Sequence, residues 1–92
     1  MKTKQAFGKS LKQLRRLRDL TQEDFSVISS RTYISQLERG QQSPTLEKVD
    51  ALAKALKIHP LSLLYLTYMR AGGHRDIDVL ARRIRSDLED VV

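Results

Sequence analysis

The sequence predicts a small all-α protein, and three observations lead to that prediction. The chain has 92 residues, which is enough for one compact domain and little more. Glycine and proline are few, at four and two residues, and runs of β-branched residues are short. Apolar residues recur at intervals of three and four along most of the chain, which is the period of amphipathic helices.

The first two helices are placed by this apolar spacing and by a capping residue. The first is expected from about residue 4 to residue 18, where apolar residues recur on one face from Phe7 to Leu17. Thr21 is the expected N-cap of a second helix of about two turns, over residues 22–28.

The third helix is delimited at both ends by residues that favour helix termini. Ser30 is its expected N-cap, and the helix should run from Arg31 to Arg39. Gly40 follows as a residue that can take the left-handed conformation and end the helix.

Three further helices are expected in the second half of the chain. Thr45 caps the fourth, over residues 46–56, and Pro60 opens the fifth, which should end at the glycine pair 72–73. The sixth, over about residues 76–90, has one apolar face and one charged face.

Positive charge is concentrated in the first two thirds of the chain. The net charge is +6; residues 1–60 carry twelve lysines and arginines against six acids, whereas residues 61–92 carry five of each. Such asymmetry indicates one half that faces a polyanion and one neutral half. A solvated basic surface explains the charge equally well, so charge alone leaves the function open.

Several functional classes are disfavoured by what the sequence lacks. There is no cysteine, which excludes disulfides, thiolate metal sites and a cysteine nucleophile. No apolar run approaches the roughly 20 residues of a membrane span, and the N-terminus lacks a secretion signal, so we expect a cytoplasmic protein. His59 and His74 are isolated, and no nucleophile–base pair or glycine-rich phosphate loop is present. We therefore expect no metal, no cofactor and no enzymatic activity.

Two short helices joined by a tight turn form a helix-turn-helix pattern. Three stretches then resemble the phage-repressor-like (XRE, or Cro/lambda-repressor) family of transcription regulators: residues 20–25 (LTQEDF), 33–40 (YISQLERG) and 43–46 (SPTL). Leu14-Arg15 and residues 52–58 follow the same family pattern, so the resemblance covers about residues 7–66. It implies a five-helix phage-repressor-like DNA-binding domain, here followed by an additional C-terminal helix.

The chain departs from the family pattern in two places. Between Ser26 and Arg31 it is about two residues shorter and lacks the usual turn glycine, and Asp19 stands where a glycine often ends the first helix. We expect a shortened second helix, with the third helix still in place as the recognition helix.

The resemblance implies that the third helix enters the major groove of duplex DNA, which admits one helix and shows a distinct edge for every base pair. The expected base contacts come from its first turn and from the same side one turn later: Arg31, Thr32, Tyr33 and Gln36. Phosphate contacts are expected from polar residues near the helix ends: Gln22, Arg39, Ser43 and Lys48. The resemblance also implies a partly buried ion pair between Arg15 and Glu38, which fixes the third helix on the scaffold.

The sixth helix is too apolar on one face to stand alone in water. It can fold back on the fifth helix or pair with the same helix of a second chain, and both arrangements bury the same residues. We favour a homodimer, because residues 61–92 carry no net charge and one recognition helix gives limited specificity. The expected interface consists of Ile77, Leu80, Ala81, Ile84 and Leu88. Residues 1–70 are thus expected to form the DNA-binding domain and residues 71–92 the dimerisation element.

The sequence therefore predicts a transcription regulator that binds a palindromic duplex as a homodimer. One alternative stays open, in which the chain is an antitoxin-like or adaptor protein. Its C-terminal helices would then bind a protein partner, and DNA binding would be secondary. An RNA-binding module is less favoured, because only five Phe and Tyr residues are present to stack on bases.

Overall fold

The computed structural model describes residues 1–73 and 75–92, in which every regular element is helical, so the all-α prediction is confirmed. These residues form five α-helices and one 3₁₀-helix, η1: α1 Thr3–Leu17, η1 Gln22–Phe25, α2 Arg31–Glu38, α3 Leu46–Leu56, α4 Pro60–Gly72 and α5 Ile77–Asp87. The six predicted helices correspond, in chain order, to α1, η1, α2, α3, α4 and α5. Among the described residues, each helix is too short or too polar to span a lipid bilayer.

The hydrophobic core is formed where α1, η1, α2, α3 and α4 meet. α1 packs on α4 and on α2, and α3 packs on α4. Phe25 of η1 is the largest of the fully buried side chains. The other members of the core cluster are Phe7, Leu11, Ile34, Leu37, Val49, Leu52, Leu56 and Leu63. α5 contributes no buried residue, so the core lies entirely within the elements that precede it.

The predicted two-turn helix over residues 22–28 is wrong in length and type. A single 3₁₀ turn forms instead, and the Ile28 N–H donates to Phe25 O at 2.8 Å in the tight turn that follows. The reason is the short connection to α2: Ser30 must be extended, at φ −65° and ψ 154°, for its side chain to cap that helix. Phe25 nevertheless stays buried and Ile28 packs against the core, as the apolar spacing predicts.

Four helices end at residues with a positive φ; one of them is α4, which Gly73 closes at φ +80°. Gly40 follows α2 at φ +72°, as predicted, and its N–H and that of Gln41 bond to carbonyls of the last helical turn. Asp19 follows α1 at φ +56°, because aspartate tolerates the left-handed conformation better than most residues. Lys57 closes α3 at φ +60°. The missing glycine at position 19 therefore does not change how α1 ends.

Gly8 brings the backbone of α1 against the end of α2. The residue is buried, and a Cβ placed on it would lie 2.6 Å from Glu38 O and closer still to Leu37 O. No side chain fits in that space, so only glycine allows the two helices to approach this closely.

The ion pair expected between Arg15 and Glu38 is present where α1 and α2 meet. Arg15 Nε donates to Glu38 Oε2 at 2.6 Å and Nη2 to Oε1 at 2.9 Å, and the side chains are only 11% and 3% exposed. Arg15 Nη1 also donates to Leu20 O at 2.9 Å, and Gln22 Nε2 donates to Glu38 Oε1 at 3.1 Å. Hydrogen bonding to Glu38, reinforced by its charge, raises the pKa of Arg15 although burial acts in the opposite direction.

Replacing Gly8 by alanine tests the close approach of α1 and α2. In an open helix interior this change stabilises by about 1 kcal/mol. Here we expect the protein to lose about 1–3 kcal/mol through overpacking, seen as a lower Tm in thermal unfolding followed by circular dichroism. Lys9→Ala, at the exposed neighbouring position, is the control and should change the Tm little. An unchanged or raised Tm for Gly8→Ala would contradict the tight contact.

A double-mutant cycle tests the ion pair. Arg15→Met or Glu38→Leu alone leaves a buried charge without its partner, and each should cost about 3–5 kcal/mol in urea unfolding. The double variant should cost less than the sum by a coupling of about 1–3 kcal/mol. The exposed pair Arg83–Asp87, at 3.0 Å, is the control, and its coupling should stay below about 1 kcal/mol. Equal coupling in the two cycles would remove the special role of the buried pair.

Candidate nucleic-acid interface

α2 has one face in the core and one polar face towards solvent. Ile34, Leu37 and Glu38 are buried, whereas Arg31 and Thr32 are exposed in the first turn. Helical geometry places three more polar residues on the exposed side: Ser35 and Gln36, both half-buried, and Arg39, which is exposed. Three of the four residues predicted to contact bases therefore share one face: Arg31, Thr32 and Gln36.

Ser35 was not among the residues predicted from the sequence. Ser35 follows Arg31 and Thr32 by about one helical turn, and around the helix axis it lies between them. The helical period could therefore have identified it from the sequence. Its hydroxyl can donate and accept hydrogen bonds, as a contact to a base edge or phosphate requires.

The first turn of α2 is held by a cap, and its arginine is held only loosely. Ser30 Oγ accepts the N–H of Tyr33 at 3.1 Å. Arg31 Nη1 lies 3.5 Å from Glu23 Oε1, and both side chains are 68% exposed. A pair so exposed contributes little stability, so the guanidinium of Arg31 can leave Glu23 for another acceptor at small cost.

Tyr33 and Lys48 make contacts within the protein that the sequence did not reveal. Tyr33 is half-buried and packs against the core, on a different side of α2 from Arg31. Lys48 Nζ donates to Ile28 O at 2.7 Å and lies 5.8 Å from the centre of the Tyr33 ring. Both side chains are thus engaged within the protein, because the short turn brings the Ile28 carbonyl next to α3.

The other three predicted phosphate contacts lie at η1, at the end of α2 and in the loop before α3. The side-chain amide of Gln22 donates one N–H to Glu38 Oε1, and its second N–H takes no part in that bond. Arg39 is exposed, with its Nε 3.4 Å from Ser35 O, and Ser43 is exposed.

His59, the histidine that the structure describes, is used to cap a helix. Within residues 1–73 and 75–92 no three His, Asp or Glu side chains are grouped to hold an ion. His59 instead caps α4, its Nδ1 accepting the N–H of Leu61 at 3.0 Å. His74 lies outside the described residues.

The predicted interface residues of α5 lie beside a second apolar surface. Four of them line an open groove of about 420 Å³ between α4 and α5: Ile77, Leu80, Ala81 and Ile84. The α4 side of this groove is formed by Leu61, Leu64, Tyr65 and Tyr68. Leu88 lies beyond it, in a depression nearer the C-terminus. Ile77 is 59% exposed, Ile84 48% and Leu88 40%, so this apolar face is open to solvent in the single chain.

Comparison with known proteins places these elements in a family. The model of the helix-turn-helix family HTH_3 matches residues 11–63. Control protein C.BamHI of Bacillus amyloliquefaciens is 36% identical over 64 residues, which cover 66% of this chain and 79% of that protein. The uncharacterized HTH-type transcriptional regulator y4dJ of Sinorhizobium fredii is 36% identical over 77 residues, covering 82% of this chain and 100% of that protein.

Two solved structures show the same arrangement of helices. The restriction-modification controller protein C.AhdI of Aeromonas hydrophila superposes with a TM-score of 0.62 at 35% identity, over 65% of this chain and 94% of that one. The clp gene regulator ClgR of Corynebacterium glutamicum superposes with a TM-score of 0.74 over 95% of both chains; at 22% identity it shows the fold alone. The family match spans η1, α2 and α3 with the polar face of α2. The chain therefore belongs to the XRE-type, phage-repressor-like helix-turn-helix family of DNA-binding transcription regulators.

Proposed function

We propose that this protein regulates transcription as a homodimer on a palindromic operator, with α2 of each chain in the major groove. The observation that carries the proposal is the exposed polar face of α2, whose opposite face is fixed on α1 by Gly8 and by the Arg15–Glu38 pair. A rigidly held helix can present the same side chains to each base pair it meets. Two relatives are named control or controller proteins, which supports a regulatory role.

Each side chain of the polar face has a proposed partner on DNA. Arg31 suits guanine and Gln36 suits adenine, because each side chain can make paired hydrogen bonds to that base. Thr32 reads a neighbouring base edge. Phosphates on either side are contacted by Gln22, Arg39 and Ser43.

The proposed dimer is supported by the open apolar face of α5. No residue of this helix is buried in the single chain, although Ile77, Leu80 and Ile84 lie together on one side. Water-exposed apolar surface of this kind on a soluble protein marks an interaction site. A second copy of α5 presents the same apolar face, so a two-fold axis can bury both faces against each other.

Selection from a random duplex pool, followed by anisotropy titration, tests base reading. We expect an enriched palindrome with half-sites about one helical turn apart, roughly 34 Å. Arg31→Ala should weaken operator binding by about 1–3 kcal/mol and change binding to unrelated duplex much less. Arg83→Ala, exposed on α5, removes the same charge and is the control. Equal losses on both duplexes for Arg31→Ala would mean that Arg31 reads no base.

Sedimentation equilibrium at micromolar concentration tests the dimer. Ile84→Asp places a charge in the apolar face and should produce a monomer with weakened operator binding, because burying an unpaired carboxylate is unfavourable. Val79→Asp adds the same charge at an exposed position on the opposite side of α5 from Ala81 and Ile84, and should leave the dimer intact. A monomeric unmodified chain would contradict the proposal, and its co-purification with a stoichiometric partner would favour the adaptor function instead.

A further inference from the structure

The turn between η1 and α2 is fastened by a side chain from another helix. This turn lacks a glycine, and its carbonyl at Ile28 accepts a hydrogen bond from Lys48 Nζ at 2.7 Å. The backbone that carries this side chain is fixed, because the backbone N–H of Lys48 donates to Thr45 Oγ1 at 3.1 Å in the N-cap of α3. Lys48 is half-buried, unlike the exposed Lys54 and Lys57 of the same region.

The same ammonium also contacts the first turn of α2. It lies 5.8 Å from the centre of the Tyr33 ring, within the range of a cation–π interaction. Tyr33 in turn packs against the core, and its N–H is bonded to Ser30 Oγ at 3.1 Å. One side chain of α3 thus joins the short turn to the start of the helix that carries Arg31 and Thr32.

We propose that Lys48 is a positioning residue for DNA reading and makes no phosphate contact. This role rests on the proposed function. Lys48 sets the position of the first turn of α2 by holding the Ile28 carbonyl and the Tyr33 ring against α3. Because the turn contains no glycine, its backbone can adopt few conformations. The hydrogen bond from Lys48 to the Ile28 carbonyl selects one of them. A misplaced first turn loses aligned base contacts but keeps its general attraction for phosphates.

Two duplexes and a salt series separate positioning from phosphate contact. Lys48→Met keeps the length of the side chain and removes the ammonium, and Lys54→Met removes an exposed lysine of α3 as the matched control. For Lys48→Met we expect operator affinity to fall about tenfold, the loss of one aligned base contact. Affinity for unrelated duplex, and the slope of log K against log salt, should stay as in the unmodified protein. Lys54→Met should leave both affinities and the slope unchanged.

A phosphate contact would give the opposite pattern. Each phosphate neutralised contributes about 0.9 to the salt slope, so loss of such a contact lowers the slope by about that amount. It also weakens binding to operator and to unrelated duplex equally. That result would overturn the proposal and restore Lys48 to the phosphate contacts.

Amide hydrogen exchange in the free protein tests, without DNA, whether Lys48 holds the turn and the first turn of α2. In Lys48→Met we expect the amides of Ile28, Ser29 and Tyr33 to exchange about tenfold faster, while that of Leu11 in α1 reports global stability and stays constant. Unchanged exchange at these three amides would overturn the positioning role. If no operator is enriched for the unmodified protein, the proposed function fails, and the exchange result still decides whether Lys48 holds the turn.

Discussion

The carboxylate of Glu38 is the point on which the arrangement of α2 depends. It accepts hydrogen bonds from Arg15 and Gln22, and Arg15 also holds the carbonyl of Leu20. One nearly buried charge thereby joins four parts of the chain: α1, the turn after α1 at Leu20, η1, and the end of α2. Burying such a charge is costly unless its partners are all in place, so the network defines one orientation of α2 more than it adds net stability.

The two ends of α2 are held by different interactions, and this leaves one face free. At the C-terminal end, Glu38 is paired and the backbone rests on Gly8. At the N-terminal end, Ser30 caps the helix and Lys48 reaches across from α3 to Ile28 and Tyr33. Neither set of contacts uses the polar side of the helix. The scaffold therefore fixes α2 while leaving available the side chains that a ligand would contact.

The sequence was sufficient for the parts of the fold that local patterns determine. Apolar period and capping residues identified all the helical segments, and family resemblance identified the Arg15–Glu38 pair. The 3₁₀ form of η1 could not be predicted, because inward-facing residues three apart, such as Phe25 and Ile28, are compatible with an α-helix as well as with a 3₁₀ turn and the turn after it. The contact at Gly8 depends on segments some thirty residues apart and leaves no local signal.

The same limit explains which candidate site residues have tertiary contacts that the sequence did not reveal. Arg31 and Thr32 lie where helix geometry alone puts them, whereas Lys48 and Tyr33 are engaged through a contact between α3 and a turn twenty residues earlier. A lysine near a helix start resembles a phosphate ligand in sequence, whatever its tertiary partner. Only the tertiary structure shows that its ammonium donates to a protein carbonyl.

α4 connects the two halves of the molecule because it is apolar on both sides. Leu63 and Thr67 are buried towards the core, while Leu61, Tyr65 and Tyr68 line the groove beside α5. α4 packs on α1, and α1 holds α2 through Gly8 and Arg15, so a continuous set of packed helices links α4 to the polar face of α2. In a dimer of the proposed kind, the position that the paired α5 helices take relative to α4 would therefore set the separation of the two α2 helices, and hence the half-site spacing that they could bind.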